Sequence, residues 1–159
     1  MEVSDFFAEL YVAGRFADAG WNVYFPHRDT GFDFIITKPT KIVHDLIRPV
    51  QVKGKYPTAE KSDKAFYGFV GKLSKTHPEM VLAIPFFARQ SSKIPIHVAY
   101  MPFSLIRPHS RGFHCEPAIF RSGSIYPRRD FAKYFDDGGM EMMENMEWKN
   151  ITKTSKNGF

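Results

Sequence analysis

The stretch RPVQVKGK, residues 48–55, decides the fold because it sets a neutral amide and two lysines into an otherwise apolar strand pattern. Side chains alternate between the two faces of a strand, so Gln51 and Lys53 point to one face and Val50 and Val52 to the other, into a core. A polar pair beside a packed face indicates either a solvent-facing side of an antiparallel strand or a site that carries chemistry. The surrounding sequence has to distinguish the two.

One helix and two strands are predicted before this stretch. Residues 4–19 form the helix, with Ser4 as N-cap and Gly20 as its end. Strands are predicted over 21–26 (WNVYFP) and 32–37 (FDFIIT), so that with the strand at 49–55 they form a meander beside the helix. The helix prediction depends on apolar residues spaced by three and four, namely Phe6, Leu10, Ala13, Phe16 and Ala17.

Two more hydrophobic strands are predicted after this stretch, over 80–88 (MVLAIPFFA) and 96–103 (IHVAYMPF). Between them and the meander, residues 65–73 (AFYGFVGKL) favour a broken helix or a loop with a short helical turn. The element order is therefore α, β, β, β, α, β, β, an α/β fold with a mixed α+β sheet. We expect one domain over 1–135, with its core at about 4–101, and an acidic, Met-rich segment with a polar tail over 136–159.

The composition limits the classes of function and partner that fit this chain. The net charge of +5 favours a polyanionic partner such as DNA. The single cysteine, Cys115, excludes an internal disulfide and a cysteine-based zinc cluster, and the absence of a long apolar segment predicts a cytoplasmic protein without a membrane partner. No Ser/His/Asp or Cys/His motif and no Gly-rich phosphate loop stands out.

Four polar side chains converge if the second and third strands are neighbours: Asp33, Gln51, Lys53 and, from the helix, Glu9. Carboxylate and amide oxygens suit a hard cation such as Mg²⁺ or Mn²⁺, so Asp33, Gln51 and Glu9 are the predicted metal ligands. Lys53 is predicted to stabilise negative charge on a phosphate rather than to act as a base, because its ordinary pKa is about 10.4.

Further residues are candidates for contacts with nucleic acid. Around the site these are Arg28, Lys55, Tyr56 and Lys72, which a solvated polar surface explains equally well. The last third of the chain interleaves arginines with aromatics and is either a face for unpaired bases and phosphates or a decorated surface around a Phe-rich core. Its members include Arg107, Arg111, Arg121, Arg128, Arg129, Lys133, Phe113, Phe120, Tyr126 and Phe131.

The ordered set of Glu9, then GFD at 31–33, then QVK at 51–53 resembles the PD-(D/E)XK, restriction-endonuclease-like nuclease superfamily. The branch it is similar to includes Holliday junction resolvases, and some members have Gln in place of the first acid of the last motif. The resemblance implies an αβββαβ core over residues 4–101 and catalytic roles for Asp33, Gln51, Lys53 and Glu9. Phe32 stands where the motif has proline, and Gln51 leaves efficient catalysis in question.

The first hypothesis is therefore a divalent-metal-dependent endonuclease that hydrolyses DNA phosphodiester bonds, with branched and duplex substrates both open and a homodimer neither shown nor excluded. The second is a nucleic-acid-binding module that keeps the nuclease fold but is catalytically weak or inactive. The third is a protein-interaction domain whose basic charge serves solubility.

Overall fold

The computed structural model describes residues 3–28, 31–42, 44–56, 69–88, 93–121 and 124–153. Helix α1 spans Val3–Asp18, and it is followed by strands β1 (Asn22–Tyr24), β2 (Phe34–Lys38) and β3 (Leu46–Val52). The predicted helix and the meander are confirmed. Asp33 lies one residue before β2, and Lys53 lies one residue after β3, so both are at strand ends rather than inside the strands.

The main sheet has five strands in the order β1-β2-β3-β5-β6, where β5 is Val81–Phe86 and β6 is His97–Pro102. Both of these strands were predicted. Neighbours are antiparallel except β3 and β5, which run parallel with Val50 opposite Val81. All six residues of β5 are buried, as expected for a central strand covered on both faces. The fold is a mixed α+β fold with few helices.

The broken helix or loop predicted over 65–73 was wrong at Phe69–Gly71, which form strand β4; residues 65–68 lie outside the described part of the chain. β4 belongs to a three-stranded sheet with β7 (Arg107–His109) and β8 (Gly112–His114). Because β4 pairs with a strand far downstream, tertiary pairing overrides the local pattern. A hairpin of β9 (Ala118–Arg121) and β10 (Ser124–Pro127) follows.

Helix α1 packs on the sheet through a row of side chains that only partly overlaps with the one whose spacing predicts it. Ala8, Val12 and Phe16 are buried at intervals of four, and Ala13 is buried beside them, whereas Phe6 is 51% exposed and Leu10 is 43% exposed. Ala17 is exposed as well. The apolar surface of α1 is wider than its buried stripe, so the periodicity identifies the helix but includes side chains that face solvent. Phe16 anchors the helix by edge-on ring contacts with Trp21, Phe34 and Tyr100.

A buried arginine on β3 fixes the C-terminal segment to the sheet. Arg48 is 1% exposed, and its Nε donates to the carbonyl of Met143 at 2.8 Å while Nη2 donates to that of Asn145 at 2.9 Å. Nη1 lies 2.5 Å from the Glu79 carboxylate, so all three donor nitrogens are used. The guanidinium also lies 5.5 Å from the ring centre of Trp148, which is fully buried.

The rest of the C-terminal segment packs on the same core. Helix α2 spans Asp136–Met142, and a short 3-10 helix spans Trp148–Asn150. Trp148 Nε1 donates to the carbonyl of Met80 at 3.0 Å, and Met143 and Ile151 are buried. Within the described residues, no helix has the length and apolar character that a bilayer crossing requires.

Candidate active site

The carboxyl end of β3 is held in place from both sides by backbone hydrogen bonds. On one side, the Asp33 N–H donates to the carbonyl of Val50 at 2.9 Å, and the Val52 N–H donates to Asp33 Oδ2 at 2.7 Å. On the other side, the Lys53 and Lys55 N–H groups each donate at 2.9 Å to backbone carbonyls of β5. The Asp33 carboxylate therefore has a fixed position relative to the β3 backbone.

A cleft of about 370 Å³ opens at this end of the sheet. It brings together all four residues that the sequence predicts as catalytic: Glu9 from α1, Asp33 ahead of β2, Gln51 in β3 and Lys53 after it. The other residues around it are Asp5, Gly31, Val52, Gly54, Lys55 and Ser74. The cleft is thus lined by three carboxylates, two ammonium groups and one amide.

Gln51 is 4% exposed, so the alternative of a solvent-facing polar side chain does not hold for it. Its Nε2 donates to the carbonyl of Gly31 and, at 3.2 Å, to that of Lys75. Because both contacts require the nitrogen, they fix the amide orientation and leave Oε1 as the atom available to a cation.

Gly31 is the residue that allows this arrangement. Its φ of +92° lies in the left-handed region, and a Cβ at this position would be 2.8 Å from the Cβ of Lys75. A larger residue would therefore displace the segment that carries Lys75, and with it one acceptor of the Gln51 amide.

Glu9 and Asp33 both line this cleft, and their carboxyl groups interact electrostatically. Burial, the charge of Asp33, hydrogen bonding to Asp33 and the charge of Asp5 raise the pKa of Glu9 to about 7, against the opposing positive charge of Lys53. Without a cation, the pair therefore holds a proton near neutral pH. If these two carboxylates held a divalent cation, its charge would favour loss of that proton.

The donor set fits a hard cation with few protein ligands. Two carboxylates and one amide oxygen are the ligands that Mg²⁺ accepts while it keeps several waters. In the described part of the chain no three His, Cys, Asp or Glu side chains form a metal-holding group by themselves, so Gln51 and a substrate phosphate would have to complete the coordination.

Asp5 was missed by the sequence reasoning. It lies four residues before Glu9 on α1, so both side chains are on one face of the helix and both line the cleft. The i, i+4 spacing of two acids beside a predicted site is a signal that could have found it.

The structure brings only some of the residues predicted to contact nucleic acid to the cleft. Lys55 lines the cleft, and Tyr56 stacks on Phe87 with ring centres 4.3 Å apart next to it. Burial and the charge of Asp5 raise the pKa of Tyr56, which is neutral at physiological pH. Arg28 and Lys72 are exposed and do not line the cleft.

The raised pKa of Glu9 predicts a specific dependence of stability on pH. Between about pH 4.5 and 7 the folded protein binds more protons than the unfolded chain, so the free energy of unfolding falls as the pH rises through this window. In the presence of EDTA, Glu9→Gln should be more stable than the native protein at pH 8, by about 1 kcal/mol after allowance for solvent screening, and equal to it at pH 4.

Urea unfolding at the two pH values tests this expectation, with Glu141→Gln, at an exposed position of α2, as the control. Addition of Mg²⁺ at pH 8 should stabilise the native protein and have a smaller effect on Glu9→Gln. A Glu9→Gln variant that is less stable than the native protein at pH 8 would contradict the raised pKa of Glu9.

Comparison with known proteins found no match: no family model, curated protein or solved structure matches the chain.

Proposed function

We propose that the protein is a Mg²⁺- or Mn²⁺-dependent nuclease that hydrolyses phosphodiester bonds in DNA. The observation that carries the proposal is the convergence of Glu9, Asp33, Gln51 and Lys53 on one cleft, where the neighbouring carboxylate of Asp33 helps to raise the pKa of Glu9. Three separate elements supply these side chains. Carboxyl groups that are held together in a cleft, with a raised pKa, are typical of functional sites.

The chain topology supports the same proposal. A helix and three antiparallel strands follow one another, and β5, which comes after β4 in the chain, runs parallel to the third strand. This order agrees with the first four elements and the last strand of the αβββαβ core of the PD-(D/E)XK nucleases that the motifs resemble, whereas among the described residues no helix lies between β3 and β5. The acid ahead of β2 and the Gln-x-Lys pair at the end of β3 follow the order of the family's motif residues along the chain, which supports the proposal.

Each side chain has a role in this proposal. Asp33, Glu9 and the Gln51 amide oxygen would hold the cation, which would supply Lewis-acid stabilisation of charge on a phosphate oxygen. Asp33 is already oriented by the Val52 N–H, so it need not rearrange to bind. Lys53 lines the same cleft as an ammonium and stabilises the negative charge that develops on the phosphate, while Lys55 binds a neighbouring backbone phosphate.

Cleavage of a substrate panel tests the proposal. Linear duplex, single strand, four-way junction and supercoiled plasmid DNA are incubated with Mg²⁺ or Mn²⁺, and the native protein is compared with Lys53→Met. We expect products that disappear with EDTA and a rate at least about 100-fold lower for Lys53→Met, since an electrostatic group that acts in the transition state is lost.

The matched control is Lys93→Met, which removes an exposed lysine that does not line the cleft and should cleave at the native rate. Metal-independent products, or equal rates for Lys53→Met and the native protein, would exclude the metal nuclease.

A second candidate function is favoured by Gln51 itself. Its amide is committed to two backbone carbonyls, so it serves the structure of the cleft whether or not a cation binds, and a neutral ligand lowers cation affinity. A catalytically weak or inactive module would bind DNA in EDTA with a salt-dependent affinity and would lose little of it in Lys53→Met, without any cleavage.

A further inference from the structure

A second cleft, of about 400 Å³, lies at the other end of β6, beyond Pro102. Its wall is built from four places in the chain: the 3-10 helix Phe103–Leu105, the start of β7 at Arg107, the 3-10 helix Arg129–Tyr134 through Phe131, and the segment 149–153. None of these residues lines the Glu9–Asp33 cleft.

The charged side chains of this cleft all have one sign. Arg107, Lys149 and Lys153 line it, and no carboxylate is among its lining residues. Among the described residues, other arginines and lysines form ion pairs with carboxylates, but none of these three does. Three cations around one concavity concentrate positive potential there, which an anion would neutralise.

A smaller lobe adjoins this cleft, and its charged residues indicate where in the cleft an anion would bind. The smaller lobe, of about 250 Å³, shares Leu105, Arg107, Phe131 and Lys153 with this 400 Å³ cleft. The smaller lobe also contains Glu116 and Asp130, and Arg128 in it is already paired with Glu116 at 3.1 Å. Because both carboxylates lie in the smaller lobe, an anion is favoured at the side of the 400 Å³ cleft that Lys149 lines.

The cationic wall is attached to a fixed part of the core. Lys149 follows Trp148, which is fully buried, donates to the Met80 carbonyl at 3.0 Å and lies against Arg48. Ile151, between the two lysines, is also buried. The backbone that carries Lys149 and Lys153 is thus positioned before any ligand binds, which lowers the entropic cost of binding.

We propose that this cleft binds the phosphate of a nucleotide unit through Arg107, Lys149 and Lys153, with the base placed against Phe131. The phosphate explains the three cations, and the apolar wall of Leu105, Phe131 and Ile151 provides a surface for a flat ring. The unit is either a free nucleotide or part of a nucleic-acid strand. The site does not depend on the proposed nuclease activity, since it shares no residue with the other cleft.

Binding measured in EDTA, where cleavage does not interfere, tests the site. The probes are inorganic phosphate, AMP and a fluorescein-labelled single-stranded oligonucleotide. The variants are Lys149→Gln/Lys153→Gln, at exposed positions that should not affect folding, and the same pair with Arg107→Gln. Loss of three contacts to one phosphate in the triple variant should weaken oligonucleotide binding at least about tenfold and reduce the magnitude of its salt slope by about 0.7.

The control for Lys149→Gln/Lys153→Gln is Lys41→Gln/Lys93→Gln. It also removes two positive charges, from exposed lysines outside both clefts, and should change the affinity less than twofold. A parallel loss of AMP binding identifies a free-nucleotide site, whereas loss confined to the oligonucleotide identifies a strand-binding site. Native-like binding by the triple variant, equal losses in the control, or no binding of any probe to the native protein would overturn the proposal. Cleavage by Lys149→Gln/Lys153→Gln on the DNA panel separates this result from a failure of the proposed nuclease.

Discussion

Asp33→Asn should lower the rate of metal-dependent cleavage at least about 100-fold, and by more than any other single substitution in the cleft, without unfolding the protein. An asparagine side chain has the same shape as aspartate, and its oxygen can still accept the hydrogen bond that the Val52 N–H donates to Asp33 Oδ2 at 2.7 Å. What disappears is the negative charge that the cation needs. Because that charge also raises the pKa of Glu9, the variant should shift the pKa of Glu9 back toward its ordinary value.

Single-turnover cleavage of the preferred substrate, with the cation concentration varied, measures this effect. Asp45→Asn is the matched control, because Asp45 is exposed in the connection between β2 and β3 and does not line the cleft. If Asp33→Asn and Asp45→Asn cleave equally well while both remain folded, the chemistry does not take place in this cleft.

Arg48→Ala should reduce the free energy of unfolding by about 3–5 kcal/mol, the range for removing one partner of a buried ion pair. The substitution leaves the Glu79 carboxylate and the carbonyls of Met143 and Asn145 without their hydrogen-bond donor. Because the Arg48 side chain is only 1% exposed, water does not readily replace it. It also removes the cation that lies over the Trp148 ring. Urea unfolding followed by tryptophan fluorescence measures the loss directly.

The double variant Arg48→Ala/Glu79→Ala separates the ion pair from the rest of the cost. Removing Glu79 as well leaves no uncompensated carboxylate, so the double variant should be less destabilised than the sum of the two single variants. Arg121→Ala, at an exposed position at the end of β9, is the control and should stay within about 0.5 kcal/mol of the native protein. A cost below about 1 kcal/mol for Arg48→Ala would contradict its role as the anchor of the C-terminal segment.

Sequence reasoning succeeded where structure depends on local pattern. Helix α1 and the five strands of the main sheet follow from apolar periodicity and from Gly and Pro at their ends, and the antiparallel pairing of β2 with β3 follows from their adjacency in the chain. The meeting of Asp33 and Gln51 at one cleft follows from that pairing. The roles assigned to them stay predictions.

What the sequence could not show depends on partners distant in the chain. Arg48 appears in the same eight residues as Gln51 and Lys53, yet its burial depends on carbonyls of Met143 and Asn145. β4 falls in a stretch predicted as a broken helix or a loop, and its strand conformation was missed because the strand that pairs with it, β8, lies far downstream. Lys149 and Lys153 fall in a tail to which no chemistry was assigned, and only the position of Trp148 places them beside Arg107.

The anchor at Arg48 also has a consequence for synthesis of the chain. The strand that carries Arg48 is translated long before the two carbonyls that its Nε and Nη2 atoms use, at separations of 95 and 97 residues. A chain that has not reached Met143 lacks both carbonyls, so the guanidinium of Arg48 stays partly hydrated and the third strand stays partly uncovered. Burial of Arg48 is therefore a late event in the folding of a newly made chain, which should remain sensitive to protease until the segment around Trp148 is available.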